Sequence, residues 1–412
     1  MAVIKAFECI RPTKELASEV AALPYDVYNR EEACEAVKGK KYSFLRIDRA
    51  ETQFGSDVDT YDDRVYAKAK ELLEQMKSKG IYIKSDKKCY YIYELTMNGR
   101  VQTGIVACAS IDDYVNNVIK KHENTREEKE LDRIRHVDTC NAQTGPIFLA
   151  YRRNEVIKNV IDKVKNTQPI FSFVSEDGIR HAGYVIDDEN DIQTIEDEFA
   201  KIDEIYIADG HHRAASAVKV GLKRRKENPA YNGTEEFNFF LSVLFQEQEL
   251  MIMPYNRVVR DLNGLSESEF LEKLGENFEV SKQGKEALEP SKKAEVTMYL
   301  GGEWYLLKAK NKILSEDAVE GLDVSLLQNY VLAPILGIED PRTDHRIDFI
   351  GGIRGIGELE RRCKKDMKVA FAMYPTSISE LFDVADAGKL MPPKSTWFEP
   401  KLRSGLFIHE LS

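Results

Sequence analysis

Residues 208–213, Ala-Asp-Gly-His-His-Arg, separate two kinds of hydrophobic pattern. The segment before them, 205–208, is short and rich in β-branched and aromatic residues, as is typical of a buried strand. After them, alanine, valine and leucine recur at helical spacing up to residue 222, where a basic cluster follows. Gly210 lies at the bend between the two patterns. The stretch therefore predicts a strand, a tight turn and the start of a helix in immediate succession.

The residue types of this turn favour an anionic ligand. Gly210 lets the backbone approach a ligand closely, and N–H groups at a helix start attract anions, most often phosphate. His211, His212 and Arg213 add hydrogen-bond donors, so Gly210 and these three residues are predicted to bind a phosphate-bearing cofactor. Asp209 adds a carboxylate that can hold Mg²⁺ or orient a histidine. An ordinary surface turn is the alternative interpretation of the same residues.

Length and charge set outer bounds on the fold and on the partners. A chain of 412 residues predicts two or three domains. Its net charge of −11 disfavours nucleic acid and anionic membranes as partners, and we expect neither. No apolar run approaches the roughly 20 residues of a membrane span, and the N-terminus lacks a secretory pattern, so we expect a cytoplasmic protein. Six scattered cysteines without zinc or redox spacing are typical of reduced, partly buried residues.

The charged segment 112–139 is predicted to be mostly helical, and most of its charges are typical of a solvated helix face. His122 and Glu123 are exceptions, because they lie where a loop or helix end meets Thr125, a good N-cap residue. A carboxylate at that position can project into a cleft. Arg133 in the same segment can hold a substrate carboxylate or serve as an ion-pair residue.

Three further segments give predictions of local structure. Asn98 and Gly99 lie between two apolar segments and predict a β-hairpin. Residues 42–47 are predicted to form a strand, and residues 57–79 a long amphipathic helix.

The loop 23–27, Leu-Pro-Tyr-Asp-Val, is predicted to be rigid because a proline stops the preceding helix. Tyr25 is expected to pack against the protein, and Asp26 to cap the next helix. Arg257, at a break between two apolar segments, is either a turn residue or a residue that returns to the site.

Five separated motifs together resemble those of a known family. They are the turn at 208–213, His122-Glu123 with Thr125, the loop at 23–27, Met-Pro-Tyr-Asn-Arg at 253–257 and Met-Pro-Pro-Lys-Ser-Thr at 391–396. They occur in the order typical of the prokaryotic domain-of-unknown-function family 1015, whose hallmark is the Ala-Asp-Gly-His-His-Arg turn. The resemblance spans nearly the whole chain but implies little about activity.

More remotely, a strand that enters Gly-x-x-Arg at a helix start resembles the ParB and sulfiredoxin superfamily, which binds nucleotide phosphates there and includes kinases of free serine. Sulfiredoxins carry a cysteine where this chain has His211, which excludes sulfinic acid reduction through that thiol. The resemblance implies an α+β fold with a mixed-sheet ParB/sulfiredoxin-like core and additional N- and C-terminal α/β elements. We expect an N-terminal α/β region at 1–98, the core at 99–262 and a C-terminal α+β region at 263–412.

The resulting hypothesis is a nucleotide-dependent phosphotransferase acting on a small hydroxyl substrate, with free L-serine, which would give O-phosphoserine, as one candidate. The expected cofactors are Mg²⁺, held by Asp209, and ADP or ATP; the partners are the nucleotide and the small substrate, and a homo-oligomer is left open. The expected catalytic residues are Glu123 as the base, Asp209 and His211. The expected substrate-binding residues are His122, Thr125, Arg133 and Arg257.

Two other classes of protein could use the same residues. A non-catalytic nucleotide-binding regulatory protein would need the phosphate-binding turn but not Glu123. A metal-dependent hydrolase would use His122, His211, His212 and Asp209 as ligands and would hold zinc or manganese.

Overall fold

The computed structural model describes all 412 residues, which form two compact units. Unit 1 comprises Met1–Leu250 together with Pro400–Ser412, and unit 2 comprises Met251–Glu399. None of the helices combines the length and the hydrophobicity that crossing a membrane requires.

Strands and helices are interspersed along the whole chain. In chain order, the strands are β1 (Ile4–Lys5), β2 (Ile10–Pro12), β3 (Tyr82–Lys84), β4 (Tyr90–Met97), β5 (Arg100–Ser110), β6 (Ile119–Lys120), β7 (Ala142–Gln143), β8 (Ile147–Tyr151), β9 (Phe171–Val174), β10 (Arg180–Ile186), β11 (Ile205–Asp209), β12 (Phe239–Gln246), β13 (Ile252–Met253), β14 (Tyr255–Val259), β15 (Phe278–Gly284), β16 (Glu295–Leu300), β17 (Glu303–Ala309), β18 (Ile347–Gly351), β19 (Val369–Met373), β20 (Trp397–Phe398) and β21 (His409–Glu410). The α-helices are α1 (Ala17–Val20), α2 (Arg30–Ala36), α3 (Leu45–Asp48), α4 (Asp63–Ser78), α5 (Ile111–Val115), α6 (Glu127–Cys140), α7 (Glu155–Lys165), α8 (Glu189–Phe199), α9 (His211–Glu227), α10 (Glu267–Asn277), α11 (Asp323–Leu327), α12 (Gly357–Lys365) and α13 (Ile378–Asp386).

A nine-stranded sheet forms the centre of unit 1. Its strands run in the order β6-β11-β8-β12-β5-β4-β10-β9, and β1 pairs with β5. The pairs β11–β6 and β12–β8 are parallel, whereas the other neighbours are antiparallel. The predicted α+β class is confirmed, because helices surround one large sheet that contains both kinds of pairing.

Local signals in the sequence account for several of these elements. Asn98 and Gly99 have φ values of 51° and 80° and connect β4 to β5, which confirms the predicted hairpin. Asn154 caps α7, because its side chain accepts hydrogen bonds from the N–H groups of Val156 and Ile157. The apolar faces of α7, α8 and α9 then enter the same core as the sheet residues.

The packing of α6 against α9 brings two separate segments of unit 1 together. Ser216 on α9 donates a hydrogen bond from its hydroxyl to the backbone oxygen of Glu130 on α6, over 3.1 Å. The parallel pairing of β6 with β11 aligns the same two segments on the sheet side. Residues 121–126, between β6 and α6, therefore lie beside the start of α9.

Two predictions of local structure are wrong. Residues 42–47 form no strand; they lead into the short helix α3, whose Leu45 and Ile47 pack with Phe44 among the helices of the N-terminal core. Burial of these apolar side chains in that core overrides their strand propensity. Asp26 does not cap α2, because Asn29 immediately precedes that helix and forms a capping box with Glu32.

Unit 2 contains a six-stranded antiparallel sheet in the order β15-β17-β16-β19-β14-β18. Trp304, which is fully buried, lies in a core with Val258 and Leu359, and its indole donates a hydrogen bond to Glu360 over 3.0 Å. The short strands β13 and β20 pair with each other at the two ends of this unit.

The boundaries of the two units differ from the three predicted regions. The β4–β5 hairpin spans the expected boundary at residue 98, so no division of the core lies there. The last residues of the chain return to unit 1, where β21 pairs with β7 and Ile408 bridges to Ile10. The paired strands are hundreds of residues apart in the chain, and such pairing leaves no local signal in composition. The sequence therefore did not indicate that the C-terminal residues belong to unit 1.

Candidate functional site

The turn between β11 and α9 has the predicted form. Gly210 is the N-cap residue of α9 with φ of 94°, a left-handed conformation that favours glycine. A Cβ atom at this position would lie 3.1 Å from Nε of Arg213, so space also favours glycine. No side chain caps the helix, and its first turn holds no acidic residue. The helix start therefore offers its backbone donors and dipole to an external anion.

Asp209 at the end of β11 has three polar neighbours. Its Oδ2 lies 3.0 Å from Nζ of Lys401, and its Oδ1 accepts a hydrogen bond from the N–H of Gly210 over 2.8 Å. Nη2 of Arg213 lies 4.0 Å from Oδ2. Burial raises the pKa of this carboxyl, but Lys401 and Arg213 outweigh burial and hold the pKa well below its usual range. Asp209 is therefore ionised and neutralised by protein cations.

His122 and His211 form a buried pair beside the turn. Their rings meet edge to face with centroids 4.5 Å apart, and the backbone N–H of His122 donates to Nε2 of His211 over 3.5 Å. Burial lowers the pKa of His122 to about 4, and burial together with His122 lowers the pKa of His211 well below its usual value. Both imidazoles are therefore neutral at pH 7. With Nε2 accepting, the proton of His211 lies on Nδ1.

Glu123 is the exposed member of this group. Its side chain is 50% exposed, and Oε2 lies 3.7 Å from Nδ1 of His211, whose side chain is only 4% exposed. A carboxylate in this position can contact a ligand that enters from solvent. The imidazole of His211, on the protein side, orients the carboxylate. The structure thus brings His122, Glu123, Asp209, Gly210 and His211 together, and their roles in catalysis and binding stay predictions.

Two residues of the predicted site have mainly structural contacts. Nε2 of His212 accepts a hydrogen bond from the backbone N–H of Arg126 over 2.9 Å. The hydroxyl of Thr125 donates to the carboxylate of Glu130, which Lys219 also contacts. His212 and Thr125 therefore fix the segment before α6 onto α9, and their roles in ligand binding stay predictions.

The predicted metal ligands do not converge. No group of three or more His, Cys, Asp or Glu side chains in the chain is arranged to hold a metal ion. Nε2 of both His211 and His212 accepts a backbone hydrogen bond, so neither of these lone pairs is available to a metal ion. Because Lys401 occupies Oδ2 of Asp209, Mg²⁺ would have to displace a lysine there. The protein residues alone do not fit a Mg²⁺ site, and the arrangement does not support a metal-dependent hydrolase.

A pocket in unit 1 lies next to the turn. It holds about 440 Å³ of free space including its open mouth, and its walls include Tyr25, Asp48, Arg133, His136, Arg213 and Ser404. We call it the α9 pocket. The guanidinium of Arg133 lies 4.0 Å from the ring centroid of Tyr25, and its Nε and Nη2 each lie 2.8 Å from Oδ2 of Asp132. Arg133 is thus both an ion-pair residue and part of a pocket wall.

Arg213 connects this pocket to the turn. Its Nη1 donates to the backbone oxygen of Pro146 over 2.6 Å, whereas its buried Nε has no hydrogen-bond partner. Buried donors are nearly always satisfied in native proteins, so an acceptor from a ligand or a water molecule is expected beside Nε.

Arg257 belongs to unit 2 and is buried in β14. Its guanidinium donates to the backbone oxygens of Tyr255 and Lys394, and lies 5.5 Å from the ring centroid of Phe349. Burial lowers its pKa to about 10. These contacts explain the burial of the Arg257 guanidinium by residues of its own unit. A role of Arg257 in substrate binding stays a prediction.

Three residues of the site were missed by sequence reasoning. Lys401 pairs with Asp209 from the C-terminal segment, and Asp48 and Tyr25 line the α9 pocket from the N-terminal region. The resemblance of the 23–27 loop to a family motif was the one signal for Tyr25. Asp48 lies in a segment predicted as a strand end, and Lys401 in a tail with no regular structure, so neither carried a local signal.

Residues 4–325 match the model of a family described as "Protein of unknown function (DUF1015)", which covers well over half of the chain. The chain belongs to the DUF1015 family. The predicted family resemblance is therefore confirmed, although the family's description assigns no activity. A comparison with curated proteins finds no match.

Solved structures with a likeness to this DUF1015 protein include a mutant free serine kinase in complex with AMP, at 14% identity and a TM-score of 0.35, covering 72% of this chain and 87% of that chain. Another is SbnI with a C-terminal truncation from Staphylococcus aureus, at 12% identity and a TM-score of 0.39, covering 71% of this chain and 82% of that chain. A third is a conserved hypothetical protein from Pyrococcus furiosus, at 14% identity and a TM-score of 0.32, covering 74% of this chain and 94% of that chain.

Proposed function

We propose that this DUF1015 protein transfers a phosphoryl group from ADP or ATP to the hydroxyl group of a small substrate, free L-serine being one such substrate. The observation that carries the proposal is an uncapped helix start beside a half-exposed carboxylate. Gly210 begins α9 without a side-chain cap, and Glu123 lies 3.7 Å from His211 in the first turn of that helix.

The helix start supports the binding of the nucleotide phosphates. An α-helix with free N-terminal N–H groups and no acidic residue in its first turn attracts an anion through hydrogen bonds and its dipole. Gly210 has no Cβ, so the phosphate oxygens can approach the backbone closely. The neutral state of His211 leaves Nδ1–H as a further donor without adding charge.

Glu123 supports the transfer step. Its carboxylate takes the proton of the substrate hydroxyl as the oxygen attacks the terminal phosphorus of the nucleotide. A bond forms between the hydroxyl oxygen and that phosphorus, and the bond from phosphorus to the bridging oxygen breaks, releasing AMP from ADP or ADP from ATP. No step of this proposal uses a metal ligand from the protein.

The test is to incubate the purified protein with ADP or ATP in the presence of Mg²⁺, with and without L-serine and other small alcohols. Melting temperature reports nucleotide binding, since a ligand that binds only the native state stabilises it by mass action. Phosphorus NMR identifies the phosphorylated product. Stabilisation by a nucleotide together with a new phosphate ester is the expected result. No stabilisation and no ester with any alcohol would overturn the proposal.

A non-catalytic nucleotide-binding protein is the second candidate. The ion pair between Asp209 and Lys401 favours it, because a carboxylate neutralised by the protein is less available for phosphoryl-transfer chemistry. This candidate predicts the same stabilisation by nucleotide with no ester formed from any acceptor.

A further inference from the structure

The α9 pocket carries charged groups whose hydrogen-bonding capacity the protein leaves unused. Nε of Arg213 is buried without a partner, and Nη1 of Arg133 donates to no protein acceptor, because Arg133 uses Nε and Nη2 for Asp132. On the same pocket, Asp48 is only 4% exposed and forms no ion pair; its single hydrogen bond comes from the Thr144 hydroxyl, over 3.1 Å to Oδ1. The pocket therefore presents unused cationic donors and an unused carboxylate oxygen.

The charges around the pocket balance one another. Asp48, Arg133 and Arg213 line the pocket, and beside it Asp132 pairs with Arg133 and Asp209 with Lys401, so these three carboxylates and three cations sum to zero charge. A bare anion would leave one negative charge uncompensated in a partly buried place, and a bare cation would do the opposite. A ligand head that carries one positive and one negative group keeps the balance and satisfies both kinds of unused atom.

The size of the pocket agrees with a small head group. Its cavity volume, counted as the space open to the centres of water-sized spheres, is about 30 Å³. One water molecule needs at least ~10–15 Å³ on this measure, so the pocket holds about two atoms the size of water, such as the oxygens of a carboxylate. The wider mouth leaves room for the rest of a small molecule.

We infer that the α9 pocket binds the zwitterionic head of an α-amino acid, with the carboxylate at Arg213 and Arg133 and the ammonium group at Asp48. The hydroxyl of Tyr25, whose ring packs under Arg133, lies on the same wall. Arg213 spans the distance from this pocket to the phosphate-binding turn, since its Nη2 lies 4.0 Å from Asp209. The role of the bound amino acid as phosphoryl acceptor rests on the proposed function, whereas its binding does not require a nucleotide.

The test is isothermal titration of the full chain, without nucleotide, with four matched compounds. L-serine and L-alanine both carry the zwitterionic head, glycerate lacks the ammonium group, and ethanolamine lacks the carboxylate. L-serine and L-alanine are expected to bind at least about tenfold more tightly than the other two, because each missing group leaves one buried charge unpaired.

The Asp48→Asn variant checks the assignment of the ammonium position. It keeps the acceptor for Thr144 but removes the charge, and it is expected to weaken L-alanine binding at least about tenfold without changing nucleotide affinity. Asp86→Asn, at an exposed position, is the matched control and should bind as the wild type does. If Asp48→Asn does not fold, Tyr25→Phe provides a second variant, expected to weaken L-alanine binding severalfold.

The outcomes separate this inference from the proposed function. L-alanine binding without phosphoryl transfer to L-serine would support the pocket and overturn the acceptor role. Phosphorylation of glycerate or ethanolamine as efficiently as L-serine would support phosphoryl transfer and overturn the zwitterion pocket. Absence of binding by both amino acids would show that the pocket holds only water and would overturn the inference.

Discussion

Nδ1 of the buried His211 lies 3.7 Å from Oε2 of the half-exposed Glu123, so a neutral imidazole supports a carboxylate that solvent can reach. This relationship joins a residue before α6 to the first residue of α9, and it exists because those two helices pack together. It places the candidate base next to the candidate phosphate site.

The first prediction concerns this carboxylate. Glu123→Gln is expected to lower kcat by about 10²- to 10⁴-fold, because an amide cannot accept the substrate proton, while nucleotide affinity stays within about twofold of wild type. Steady-state kinetics and nucleotide titration measure both quantities. Glu127→Gln, an exposed change four residues along the chain, is the control and should retain activity. Full activity in Glu123→Gln would show that Glu123 is not the catalytic base.

The second prediction concerns stability in acid. Burial lowers the pKa of His122 from 6.5 to about 4, so the unfolded chain takes up a proton at a higher pH than the folded protein does. The stabilisation is fully present above pH 6.5 and is lost as pH falls from 6.5 towards 4. At about 1.4 kcal/mol for each pKa unit, the loss from this residue is ~3 kcal/mol.

Urea denaturation at pH 7 and pH 5 checks this prediction. His122→Asn removes the titrating group and should make stability less dependent on pH in this range, even where the variant is less stable at pH 7. His345→Asn, at an exposed position in unit 2, is the control and should keep the wild-type dependence. Equal pH dependence in wild type and His122→Asn would contradict the assignment.

The third prediction concerns the turn glycine. Gly210→Ala is expected to destabilise the protein by about 1–3 kcal/mol, because φ of 94° is strained for alanine and the new methyl group would crowd the guanidinium of Arg213. Nucleotide binding should weaken as well, since the proposed phosphate site loses the close backbone approach that glycine allows. Chemical denaturation and nucleotide titration provide the measurements.

Gly275→Ala is the matched control for this change. Gly275 lies within α10, and a Cβ atom there would meet nothing within 4 Å. Alanine is favoured over glycine inside a helix by about 0.5–1 kcal/mol, so this variant should be slightly more stable than wild type. If Gly210→Ala left the free energy of unfolding unchanged, the turn would not need its left-handed conformation.

The fourth prediction concerns Lys401 and metal binding. Because Lys401 neutralises Asp209, Mg²⁺ without nucleotide is expected to leave the melting temperature of the wild-type protein unchanged. Lys401→Ala frees the carboxylate and should make the melting temperature rise with Mg²⁺. Lys401→Arg keeps the charge and should behave as the wild type. Stabilisation of the wild type by Mg²⁺ alone would indicate that the metal displaces the lysine.

Local sequence determined several parts of this protein. The Asn98-Gly99 hairpin and the Gly210 turn both need left-handed backbone conformations, which few residues adopt readily, so the residues themselves indicate the structure. The adjacency of strand, glycine and helix also indicated the candidate phosphate site, because all three lie next to one another in the chain.

Tertiary structure decided the rest. Residues 42–47 have strand-forming residue types, yet they lead into a helix because burial of Phe44, Leu45 and Ile47 in the N-terminal core overrides that propensity. Asp48, Arg133 and Arg213 reach one pocket from three distant segments, and Lys401 reaches Asp209 from the C-terminal residues. Charge pairing and pocket shape depend on distances between segments remote in the chain, and residue spacing within a segment carries no information about those distances.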